Sequence, residues 1–76
     1  MDADAWIELL ARELGLPAPS VAERDAILSL AGVAAHSSER RAAPVACWLA
    51  ARAGIDAEEA LAIAHRLSAA SGDDVT

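Results

Sequence analysis

His36, Arg40 and Arg41 stand close together in the chain, a few residues before Pro44 and the apolar run Val45-Ala46-Cys47-Trp48-Leu49. Two arginines beside the start of a helix can grip a carboxylate or phosphate by forked, charge-assisted hydrogen bonds. Free N–H groups in the helix's first turn would assist, and His36 would add a group that titrates near neutral pH. The same residues equally suit a structural role, as positive charge at the C-terminal end of a preceding helix. Cys47 is the only cysteine. As a nucleophile it would need a lowered pKa and a nearby base, and neither His36 nor His65 stands at a recognisable spacing; between Ala46 and Trp48 it reads as a small core filler. His65 and Arg66 fit a solvated helix end. Glu23, Asp25, Glu58 and Glu59 lie in first turns of helices, where carboxylates are expected. No glycine-rich phosphate loop, hydrolase elbow or zinc spacing occurs, so the expectation is no catalytic residues, no metal, no cofactor and no nucleotidyltransferase activity of the chain's own.

Helices must position these residues. Ala3, Trp6, Ile7, Leu10, Ala11 and Leu14 recur at helical spacing and predict a first helix over 3–14, capped by Asp2 or Asp4 and stopped by Gly15 in the left-handed conformation. Two prolines in Gly-Leu-Pro-Ala-Pro-Ser, residues 15–20, make a loop. Ser20-Val21-Ala22-Glu23 is a capping box opening a second helix to His36 or Ser37, with Ala26, Ile27, Leu30, Ala31 and Ala34 inward. Gly32 in its interior marks either a close helix crossing or a tolerated cost of up to about 1 kcal/mol. Pro44 suits the first turn of a third helix that ends at Gly54. That helix is apolar nearly all round and is expected to be the central, organising one. Trp48 on it is expected to be a core anchor whose loss costs about 3–5 kcal/mol, with Trp6 as the second anchor. Asp56-Ala57-Glu58-Glu59 is a second capping box, and a fourth helix carries Ala60, Leu61, Ala64, Leu67 and Ser68 inward to about Ala70. The fold expected is all-α, a compact, antiparallel-like bundle of four short helices over residues 1–72, with a frayed polar tail over 73–76.

Composition bounds the function. Of the 76 residues, 21 are alanine and none is Phe or Tyr, so bulky core volume is scarce. A chain this short has a thin stability margin, and its core calls for a protein partner or a second copy, a homodimer, to extend it. Twelve acids against six arginines, net charge −6, exclude a phosphate-neutralising nucleic-acid binder. No basic amphipathic face or long apolar run suits a membrane. The acidic N-terminus is not that of a signal peptide, and the lone thiol fits the cytoplasm.

The pattern Ala35-His36-x-x-x-Arg40-x-Ala42-Ala43-Pro44 with its apolar helix to Ala53-Gly54, and the opening Ala5-Trp6-Ile7 through Glu13-Leu14-Gly15, resemble a small actinobacterial domain. That domain is found alone or fused to molybdenum-cofactor guanylyltransferases and is called a molybdopterin-guanine dinucleotide biosynthesis protein or a domain of unknown function. The likeness covers about residues 4–70. Arg41 stands where the family usually has proline, and Val45-Ala46-Cys47-Trp48 where it usually has Leu-Thr-Thr-aromatic. The resemblance implies an accessory or adaptor role in molybdenum-cofactor biosynthesis, by protein or anionic-ligand contact, with His36, Arg40, Arg41 and Pro44 as the contact residues. The other reading is a helical protein-interaction module with no ligand.

Overall fold

Local signals set several of the helix boundaries. The computed structural model describes the backbone of residues 1–75 and the side chains of residues 1–70; Thr76, the end of the expected tail, lies outside the described residues. Among them are four helices and no strand: α1 (Ala3–Glu13), α2 (Val21–Ser37), α3 (Ala42–Ala53) and α4 (Ala57–Val75). The chain is a small all-α bundle.

Asp2 caps α1 by accepting a hydrogen bond from the Ala5 N–H at 2.8 Å. At the other end Gly15 turns at φ +73°, its N–H donates to the Arg12 carbonyl at 3.1 Å, and the Leu16 N–H reaches back to the Ala11 carbonyl at 2.8 Å. This pair of bonds is a Schellman motif, which glycine favours because a Cβ resists positive φ. The Ser20–Glu23 capping box forms in both directions, at 3.1 and 2.8 Å. Asp56 caps α4 through the Glu59 N–H at 2.8 Å; the return bond that would complete a second box is not made among the described residues. α4 does not stop at Ala70 but runs to Val75: an interior glycine costs a formed helix only about 1 kcal/mol, so Gly72 does not end it.

The packing overturns the expectation that α3 is central. α2 packs against both α3 and α4, while α3 and α4 barely meet. Among the described residues the buried ones are Ala26 and Leu30 of α2 and Ala60 of α4; α3 has none. α3 turns Ala43, Ala46, Cys47 and Ala50, its small residues, half-buried toward the bundle and leaves Val45, Trp48 and Leu49 outside. Small side chains let its backbone approach α2, and the large ones have no room between. Trp48 and Trp6 are each 57% exposed, so neither is a core anchor. Leu67 of α4 is likewise exposed.

α3 returns antiparallel to α2, because Cys47 meets Ile27 while the two helices join at residues 38–41. α4 is not antiparallel to α2. Glu23 and Ala57 line one groove near the two helix starts, and farther along both, the Ser37 and Ser68 hydroxyls are hydrogen-bonded. The two helices therefore run in the same direction. Among the described residues α1 packs on no other helix. It is tied to α2 by the Asp4–Arg24 ion pair at 2.8 Å, a partly exposed pair worth no more than about 1 kcal/mol.

Candidate functional site

The junction between α2 and α3 brings together the residues singled out in the sequence. α2 ends at Ser37; Ser38 then leaves helical geometry at φ −146°, ψ −98°, and its hydroxyl donates to the Ala34 carbonyl at 2.9 Å. Four residues later α3 begins with Arg41 as its N-cap and Pro44 in its first turn. His36, Arg40, Arg41 and Pro44 are all exposed on this corner. Arg41 Nε lies 3.2 Å from Glu39 Oε2, an open-surface pair with little energetic weight. Among the described side chains neither His36 nor Arg40 is paired.

The backbone contribution expected of this corner is spent within the chain. The Ala42 N–H donates to the Glu39 carbonyl at 2.9 Å and the Ala43 N–H to the Arg40 carbonyl at 3.1 Å. Pro44 has no N–H. The first three helical positions of α3 therefore offer an anion no free donor. What the corner presents is side-chain charge on an open surface, suited to carboxylates on another surface.

A second feature, which sequence reasoning missed, lies at the opposite end of the α2–α3 pair. A groove of about 370 Å³ opens there, walled by Ile27, Leu30, Cys47 and Ile55, with Glu23 and Asp56 at its rim and the Pro17–Pro19 loop along one side. No local signal could have revealed it, because its walls come from three helices and two loops distant in the chain. Both rim carboxylates also serve as caps: Glu23 accepts from the Ser20 N–H and Asp56 from the Glu59 N–H.

Cys47 lies half-buried in the wall, its Sγ donating to the Ile27 carbonyl at 3.9 Å, and burial pushes its thiol pKa up. A nucleophilic cysteine needs the opposite shift; Cys47 lines the groove and is not one of the buried core residues its neighbours suggested. His65 and Arg66 are exposed near the middle of α4, with the helix continuing nine residues beyond Arg66, so they do not mark its end. No cluster of three metal-ligating side chains exists among the described residues, and no helix there is long and apolar enough to cross a membrane.

The model of a family described as a domain of unknown function, DUF6457, matches residues 1–74. The chain belongs to this family. The match spans α1 through nearly all of α4, so the projecting first helix is part of the family's own unit. Comparisons with curated proteins and with solved structures return no match.

Proposed function

We propose that the chain is an accessory adaptor domain of molybdenum-cofactor biosynthesis that works by contact with a protein partner. The observation that carries the contact reading is the α2–α3 corner: His36 and Arg40 exposed and unpaired among the described side chains, on a chain of net charge −6, with the adjoining helix N–H groups already bonded. Such a corner favours a partner's carboxylates over a cradled phosphate. The molybdenum-cofactor link rests on the sequence resemblance to the actinobacterial domains that accompany guanylyltransferases, and it implies a cytoplasmic setting with that enzyme as partner. A helical interaction module without this pathway link is the second reading, favoured by the open surface at the corner.

The test is titration of a purified molybdenum-cofactor guanylyltransferase, and separately of molybdopterin-type phosphates, into wild type and Arg40→Ala. The enzyme should bind wild type and lose about 2 kcal/mol of affinity with Arg40→Ala, as for a lost charge-assisted contact, while the thermal midpoint hardly moves. The phosphates should bind both proteins equally weakly. Equal affinity of the enzyme for both proteins removes the corner from the contact, and no binding of the enzyme removes the pathway link.

A further inference from the structure

The chain exposes more surface than its mass accounts for. Its accessible surface is 5856 Å² for a mass of 7.8 kDa. A compact monomer of that mass exposes about 4,400 Å², which leaves an excess of about 1,500 Å². Obligate dimers bury roughly 1,000–2,500 Å² per copy, so the excess is of the size one second copy covers.

Two unpartnered apolar stripes lie on that surface. α1 presents Trp6, Leu9 and Leu10, with Leu14 at its C-cap, all exposed, and among the described residues it packs on no other helix. α3 presents Val45, Trp48 and Leu49, at i, i+3 and i+4, on the face opposite the one that meets α2. The two helices are nearly equal in length, 11 and 12 residues. Within one chain they do not meet.

Charge decides which stripe faces which. From its N-cap to its last residue α1 carries Asp2, Asp4, Glu8 and Glu13 against Arg12, a net −3. Counted the same way, α3 carries Arg41 and Arg52 and no acid, a net +2. Pairing α1 with α1, or α3 with α3, sets like charges against each other, whereas pairing α1 with α3 sets opposite charges together.

We propose that two copies of this chain form a symmetric dimer in which α1 of each copy lies along the outer face of α3 of the other. The contact is made twice and closes on itself, as a two-fold interface requires. It covers both tryptophans and leaves His36, Arg40 and the α2–α3 groove accessible. The inference stands independently of the molybdenum-cofactor reading.

The experiment is sedimentation velocity on the full chain and on two charge-reversed variants. Glu8→Arg with Glu13→Arg turns α1 from net −3 to +1, and Arg41→Glu with Arg52→Glu turns α3 from +2 to −2. All four positions are exposed, and circular dichroism checks that each variant remains helical. Wild type should sediment at twice the 7.8 kDa chain mass. Each variant alone should show a dissociation constant raised at least about 10-fold, from the loss of complementary pairs. Their equimolar mixture should recover the wild-type dimer, because each α1 then meets an α3 of opposite charge. A wild type that stays monomeric up to about 0.1 mM overturns the proposal, since an interface covering this much apolar surface should be tighter. Variants that still dimerise alone, or a mixture that does not recover, overturn the α1–α3 pairing.

Discussion

Leu30 is the smaller side chain and Trp48 the larger, yet Leu30 should matter more to the chain's own stability. Leu30 of α2 is 5% exposed, and Trp48 is 57% exposed with the Arg52 guanidinium 4.9 Å above its ring. Leu30→Ala should cost about 2–4 kcal/mol, through lost transfer energy and the cavity left behind. Trp48→Ala, measured at protein concentrations low enough to keep copies apart, should cost under about 1 kcal/mol. Denaturant unfolding of both variants checks the ranking; the reverse order would put Trp48 in the core. The exposure of the corner was legible in the sequence, since His36, Arg40, Arg41 and Pro44 all lie exposed around the α2–α3 junction. The use of the Ala42 and Ala43 N–H groups was not, because it depends on how tightly residues 39–43 turn, which no side chain there dictates.

At the scale of helices, the legible part was whatever a few neighbouring residues decide. Asp2, Gly15, Ser20 with Glu23, Gly54 and Asp56 fix the ends of their helices by hydrogen bonds three to five residues long, and each does what its type implies. Which helix is central was not legible. α3 is apolar on two faces, and periodicity cannot say which face turns inward when both qualify. Packing chose the alanine and cysteine face of α3, and α2, which meets both α3 and α4, became the axis. Gly32 shows the same division between local signal and packing. A Cβ built there meets nothing within 4 Å, so this glycine marks no helix crossing. Gly32→Ala should therefore stabilise the fold by about 0.5–1 kcal/mol through helix propensity alone. An unchanged or lowered thermal midpoint would mean that a neighbour occupies that space.

As a whole molecule, the chain buries about half of the surface an unfolded chain of its mass exposes, where even small independent domains bury about 60%. Among the described residues the three buried side chains are two alanines and one leucine, a small apolar core for four helices. The composition already showed this shortage: alanine supplies half of the apolar residues and no Phe or Tyr adds bulk. What composition could not show is that the remaining bulk, Trp6, Leu10, Leu14, Val45, Trp48 and Leu49, faces outward. In the dimer proposed above this outward surface is covered by association, which adds to the stability of the fold by mass action. Thermal unfolding recorded over about a hundredfold range of protein concentration tests it most directly. The midpoint should climb by about 5–10 °C across that range, as mass action requires for a small folded dimer. Superimposable, steep melting curves at every concentration would contradict it.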